Sequence, residues 1–268
     1  MQYGNFSGAD YGFIAEAHGD RSSPLRLVEL GAGTASKTCI LLEAASRISD
    51  DVAYVPVDVC PDALQLACQN IASALPEVRL QPIVRNYVTH PLQLDSFDGT
   101  TLALYIGTSI GNFAPQEAEV ILRNLCGQLQ TGDALLLGTD MVKDERTLLA
   151  AYDDSDGITA AFNLNLLHRL NRELGANFDA ACFRHRALWN SIESRIEMHL
   201  ESTQEQHVSI EHADLDVHLV RRETIHTENS YKFTDQRIRQ LLEEVGFAIR
   251  GAWKDSRGWY TLTLGCLR

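Results

Sequence analysis

Apolar residues fall in short unbroken runs through the first half of the chain and alternate with polar ones in part of the second. Residues 27–31 (LVELG) form an apolar run ending in glycine, which predicts a buried strand entering a tight loop. Past the loop, residues 36–48 (SKTCILLEAASRI) space their apolar positions as a helix does, with Thr34 or Ser36 at the N-cap. Tyr54–Val59 (YVPVDV) predicts a second buried strand. Residues 61–75 predict a helix with Pro61 in its first turn and apolar side chains on one face. Further strands are predicted at residues 80–87 (LQPIVRNY), 100–107 and 133–140, with a helix between Pro115 and Leu129. Fully apolar strands alternating with helices predict an α/β fold, a parallel sheet covered on both faces.

The pattern changes after Asp140. Residues 142–180 are mainly helical in pattern and carry a dense polar series that includes Asn163, Asn165, Asn171 and Arg172. Residues 186–220 alternate apolar and polar positions, as in RIEMHL and HVSI, which predicts antiparallel strands. A helix (DQRIRQLLEEVGF) then returns, followed by a strand pair around RGAWKD and WYTLTLG. The simplest architecture is an α/β core interrupted by an insertion, expected to pack on the core and form one wall of a cleft.

Composition narrows the function. With 45% apolar and 22% charged residues over 268 positions, the chain has ample material for a buried core and none of the bias of a disordered segment. Thirty-six acidic residues against 23 basic ones give a net charge of −13. Such a field repels phosphate backbones and anionic lipid, and no Lys/Arg cluster reverses it, so neither nucleic acid nor a membrane is an expected partner. The six cysteines show no CxxC spacing and read as free thiols packed as small hydrophobes. No apolar run approaches a membrane span and no signal peptide opens the chain, so a cytoplasmic location is expected. His168, His185, His199, His207, His212, His218 and His226 lack metal-site spacing such as HExxH, so no metal is expected.

Candidate chemistry begins at the first strand-to-helix turn, Glu29–Leu30–Gly31–Ala32–Gly33–Thr34. Glycines let a backbone approach a nucleotide closely, and the helix start offers unpaired N–H groups. A dinucleotide fingerprint needs a third glycine where this chain has Ser36. The ExGxG pattern instead resembles the first motif of class I methyltransferases that use S-adenosylmethionine. Asp58, ending the second strand, stands where an acid accepts ribose hydroxyls. Only Lys37 lies near enough to balance a pyrophosphate, whereas acidic surroundings suit a sulfonium cation.

Longer stretches carry a more specific likeness. VELGAGTASKT, YVPVDV, YIGTSIGNFAPQEA, LLLGTDMVKD, AAYDDSDGITAAFNLNLLHRLNRELGANFD, RIEMHL and TENSYKF resemble, in order, the histidine-specific Nα-methyltransferases of ergothioneine biosynthesis. The resemblance implies a Rossmann-like class I methyltransferase sheet (residues 20–141 and 232–268) with an inserted α+β substrate domain (142–231, joined by 1–19). It implies S-adenosylmethionine as cofactor, with Gly31 and Lys37 at its methionine end, Asp58 at its ribose, and Glu29 and Gly33 also among the cofactor-binding residues. Asn86, in an Arg-Asn-Tyr stretch where the family has Gly-Asp-Phe, would meet the adenine through its amide oxygen. On the substrate side it implies Asn112 on the carboxylate and amine, Tyr152 on the carboxylate and Met198 lining the pocket. Glu228 and Ser230 would grip the imidazole, with Gly107 and Ser109 in the loop between cofactor and amine. Asn112 and Tyr152 are the residues expected to act in catalysis. An acid and a hydroxyl two residues apart on an extended segment point to one side, as a two-point clamp requires.

Family members carry about fifty more residues, including tyrosines that cover the substrate, before the point where this chain begins. Tyr3, Tyr11 and Phe13 are the aromatic residues at hand to replace them. A protein partner completing the substrate pocket, a more open pocket, a truncated sequence and an inactive paralogue are the alternatives. Three functions follow: an Nα-methyltransferase of histidine, an N-methyltransferase of tryptophan or another aromatic amine, or a non-catalytic subunit that binds S-adenosylmethionine.

Overall fold

The computed structural model describes residues 12–18 and 22–268. They form two compact units, one holding the chain up to Met141 together with Phe233–Arg268, the other Val142–Lys232.

The first unit runs α1 (Gly12–His18), β1 (Leu25–Leu30), α2 (Thr38–Ser46), β2 (Val52–Asp58), α3 (Pro61–Ala74), β3 (Arg79–Leu80), β4 (Ile83–Val84), β5 (Thr100–Tyr105), a 3-10 turn (Ser109–Asn112), α4 (Pro115–Cys126) and β6 (Ala134–Asp140). The second contains α5 (Glu145–Tyr152), α6 (Ile158–Leu174), β7 (Phe183–Asn190), β8 (Arg195–Ser202), β9 (Gln206–Ile210), β10 (Leu215–Leu219) and β11 (Thr224–Tyr231). The chain then returns to the first unit as α7 (Asp235–Glu244), β12 (Phe247–Lys254) and β13 (Tyr260–Leu267).

The large sheet has the order β12-β13-β6-β5-β1-β2-β3, with β4 also on β2. Strands β1, β2, β5 and β6 are parallel, and β13 runs antiparallel between β6 and β12. Alternate residues feed two cores. Leu25, Leu27, Tyr54, Leu102, Leu104 and Leu136 pack on one face; Val28, Leu30, Val57, Ala103, Tyr105 and Leu137 pack on the other against α4 and α7. Strands buried on both faces have no polar face to show, hence their unbroken apolar runs. No helix among the described residues is long and apolar enough to cross a membrane.

Three local expectations are corrected. The strand expected at residues 80–87 is two strands of two residues each, separated at Pro82, which has no N–H for a ladder. Helix α2 begins at Thr38 with Lys37 in the N-cap position and no side-chain cap, not at Thr34 or Ser36. The intervening Ala35 takes φ +52°, which keeps the loop out of the helix for one more turn. Residues 1–19 are expected to join the insertion, yet α1 packs with the large sheet. Phe13 and Ile14 are buried in its core, and the Phe13 ring lies 5.5 Å from that of Trp253. Tyr3 and Tyr11 lie outside the described residues.

The second unit is a three-stranded antiparallel sheet, β11-β8-β7, and a hairpin, β9-β10. Leu167 of α6 packs with Phe178, Phe183, Leu200 and Val208. Leu148 of α5 packs with Ile196 and Met198, joined by Tyr152, Ala187 and Trp189. One face of the three-stranded sheet is thus closed by two helices.

Candidate active site

In the first unit, candidate residues gather where the parallel strands end. Gly31 and Gly33 adopt φ +68° and +54°, the left-handed region that glycine enters without a Cβ penalty. The N–H groups of Gly31 and Ala32 donate to Val57 O at 2.9 and 3.1 Å, tying the loop to the end of β2. Gly33 N donates to Asp58 Oδ2 at 2.9 Å, and Cys60 N to Asp58 Oδ1 at 3.0 Å. The Asp58 carboxylate is thereby fixed by one backbone bond per oxygen, leaving each oxygen a further lone pair.

A Cβ at Gly31 would stand 3.2 Å from Tyr87 Oη and 3.9 Å from Ser109 Oγ, and one at Gly107 would also stand 3.9 Å from Ser109 Oγ. These contacts bring Gly31, Tyr87, Gly107 and Ser109 together above β1 and β5. Thr108 between them takes φ +61°, and Gly111 N closes the turn onto Thr108 O at 2.9 Å. Asn112, the last residue of that turn, is exposed. Tyr105 lies beneath, its ring edge-on to Tyr87 at 5.8 Å. Burial raises the pKa of both phenols. Tyr105 Oη is buried beside Tyr87 and Ser109.

Glu29 is placed differently from a ligand-facing expectation. Glu29 is buried beneath the loop, where its Oε2 accepts from Thr38 Oγ1 at 2.7 Å and from the Tyr54 hydroxyl. Burial pushes its pKa to about 7 against the opposing effect of those two bonds. Glu29 therefore pins the first residue of α2 to the sheet. Asn86 is exposed, and its amide oxygen already accepts from Val88 N at 3.1 Å, closing a short turn of its own. Lys37 is exposed at the start of α2.

In the second unit, Tyr152, Met198, Glu228 and Ser230 share one side of the three-stranded sheet. Glu228 pairs directly with Met198 and Ser230 with Ile196 across β8–β11, so these side chains project to the same face. A register shift between His226 and Glu228 absorbs Thr227 and sets that phase. Tyr152, closing α5 above this face, hydrogen-bonds Ser230 Oγ at 2.7 Å. Its carbonyl is held by His185 Nε2 at 2.7 Å, while His185 Nδ1 accepts from Asn163 Nδ2 at 2.9 Å. An amide N–H donor on Nδ1 leaves the ring proton on Nε2, the tautomer that can donate to a carbonyl. Burial raises the pKa of Glu228, opposed by the charge of Lys232.

Lys232 was not among the expected site residues. It is buried, donates to Tyr152 Oη at 2.8 Å and Ser230 Oγ at 2.7 Å, and lies 4.6 Å from the centroid of the Tyr152 ring. The period of two in TENSYK, acid, hydroxyl and ammonium at alternate positions, was the signal that could have found it. Tyr87 was missed as well; it lies beside Asn86 with only its aromatic character to mark it.

The sequence spacing of the histidines gives no metal motif. Among the described residues, folding still brings Glu197, His199 and His226 together, and likewise Glu205, His207 and His218, with ligand atoms within 4.8 Å of one another. In the first group Glu197 also pairs with Arg195 at 2.7 Å.

Comparison with known proteins follows the same line. A family model described as histidine-specific methyltransferase, SAM-dependent, matches residues 11–266. The histidine N-alpha-methyltransferase of Mycolicibacterium smegmatis is 40% identical over 238 residues, spanning 89% of this chain and 74% of its own. That of Mycobacterium tuberculosis is 38% identical over the same shares. Among solved structures, an S-adenosylmethionine-dependent methyltransferase from Clostridium acetobutylicum superposes with a TM-score of 0.52 at 12% identity, covering 96% of this chain and 90% of that one. This last likeness is one of fold alone.

Proposed function

The chain belongs to the family of histidine-specific, SAM-dependent methyltransferases, and from that premise we propose that it methylates the α-amino nitrogen of L-histidine. The observation that supports this acceptor most is the pair Glu228 and Ser230, an acid and a hydroxyl on one strand face beside Met198. A carboxylate and a hydroxyl match the two ring nitrogens of an imidazole, one as acceptor of an N–H and the other as donor to a lone pair. A neutral indole offers a single N–H and leaves one of the two partners idle.

The loop residues fit the cofactor. Nothing lies within 4 Å of where a Cβ on Gly33 would stand, so the backbone there is open to a ligand. Asp58 keeps lone pairs for a ribose diol. Gly31, Gly33 and Lys37 would hold the methionine end and Asp58 the ribose, with Asn86 at the adenine. Bound S-adenosylmethionine supplies an electrophilic methyl group on a sulfonium.

The protein's own part is positioning. Tyr152 holds the substrate carboxylate and Glu228 with Ser230 the ring, so the α-amine is presented in one orientation. Only the neutral amine has a lone pair to attack. The Asn112 amide oxygen would accept an N–H of the amine and so aim its lone pair, with Gly107 and Ser109 in the loop beside it. The test is calorimetric titration with S-adenosylhomocysteine followed by histidine or tryptophan, with mass-spectrometric detection of methylated product. Histidine binding and methylation are expected. Cofactor binding with turnover of tryptophan alone would overturn the acceptor.

A further inference from the structure

We infer that Lys232 is a positioning residue for the acceptor: its ammonium dictates how the Tyr152 and Ser230 hydroxyls share their protons, and so which hydrogen bonds the pair offers a ligand. The inference rests on the reading of Tyr152 and Ser230 as substrate-binding residues.

The argument is an inventory of donors. An ammonium has hydrogen-bond donors and no acceptor, so both hydroxyl oxygens accept from Lys232. The Tyr152 Oη to Ser230 Oγ bond of 2.7 Å consumes one hydroxyl proton. Two hydroxyls have two protons, and neither can point at the ammonium. One proton is therefore left to be directed away from the triangle, whichever of the two carries the shared bond. In the ligand-free site the pair thus directs one O–H donor outward, and a ligand that takes a donor from each hydroxyl replaces the bond between them. Without the ammonium, either hydroxyl could donate to the other or to a water in its place, and the outward donor would be lost in part of the population.

The surroundings suit this role. Lys232 is 1% exposed, and the Tyr152 ring face adds cation–π contact at 4.6 Å. Glu228 supplies the opposing charge two positions from Ser230 on the same strand. Lys232 N donates to Ser194 O at 2.7 Å, which holds the backbone in place independently of the side chain.

Lys232→Met keeps most of the stem and removes the donors. The expected result is a KM for histidine raised roughly ten- to hundredfold, the scale of hydrogen bonds to charged groups, with kcat changed far less. Affinity for S-adenosylhomocysteine stays at the wild-type value. In a Tyr152→Phe, Ser230→Ala background, where no hydroxyls remain to be oriented, adding Lys232→Met is expected to raise KM by less than about twofold. A lysine serving only as structure would impose its full effect in both backgrounds. Lys232→Gln, which restores N–H donors on a shorter stem, is expected to fall between Lys232→Met and wild type and serves if the Met variant does not fold. An unchanged KM in Lys232→Met beside normal wild-type turnover of histidine overturns the role of Lys232. Wild-type protein that does not turn over histidine overturns the acceptor assignment instead.

Discussion

Glu228 stands directly across the β8–β11 ladder from Met198, so an acid and a thioether share the side of the sheet that α5 covers with Leu148 and Tyr152. Their pairing depends on the register shift next to Glu228; without it, the acid would face the other side.

The acid limb of activity follows from Glu228. Burial raises its pKa, and the charged form is the one proposed to accept an imidazole N–H. As pH falls through that raised pKa, Glu228 takes a proton and loses its acceptor role, so kcat/KM for histidine should fall. Glu228→Gln should lower kcat/KM for histidine by about ten- to hundredfold and remove this limb from the pH profile. A limb that persists unchanged in Glu228→Gln would assign it to another group.

Asp58 joins two loops and is proposed to face the ribose. Asp58→Ala should weaken S-adenosylhomocysteine binding by about 1–3 kcal/mol, read by calorimetry. It also removes the acceptor of Gly33 N and Cys60 N, so amide exchange at both should accelerate. Unchanged affinity would place the ribose elsewhere.

Gly138 in β6 is required by a contact on the neighbouring strand. Tyr260 Oη donates to Ile106 O at 2.7 Å, anchoring the segment that leads into Gly107 and Ser109. A Cβ at Gly138 would lie 2.1 Å from Tyr260 Oη and 2.7 Å from Ile106 O. Gly138→Ala should destabilise the protein by about 1–3 kcal/mol in urea unfolding. Tyr260→Phe, which removes the hydroxyl without adding volume, should cost less, about 0.5–1.5 kcal/mol.

Glu29 gives stability a pH dependence of known sign. Its pKa is about 7 in the fold against an ordinary 4.5. Between those values the folded state binds a proton that the unfolded state has released, so stability falls as pH rises through this window. The loss attributable to Glu29 is on the order of 3 kcal/mol by pH 8. Denaturant unfolding at pH 5 and pH 8 should show a smaller loss in Glu29→Gln, which keeps an acceptor for Thr38 and Tyr54. Parallel pH profiles for the two proteins would exclude Glu29 as the source.

Much of this protein was determined locally by its sequence. Runs such as LVELG and YVPVDV had to be buried strands, because residues apolar on both faces have no stable place at a surface. Gly31 and Gly33 marked the loop because positive φ is open to glycine. The order of the motifs carried the family. What only the tertiary structure decided was set by contacts distant in sequence. Glu29 reads as a ligand-facing acid until Tyr54, on the neighbouring strand, and Thr38 take its carboxylate. Helix α1 went with the sheet because Phe13 meets Trp253, far along the chain. Lys232 joined Tyr152 only when α5 packed over β11, eighty positions apart. Hydrophobic periodicity and turn chemistry are written within a few residues. The partner of a buried charge is chosen by which elements meet, and only the assembled fold decides that.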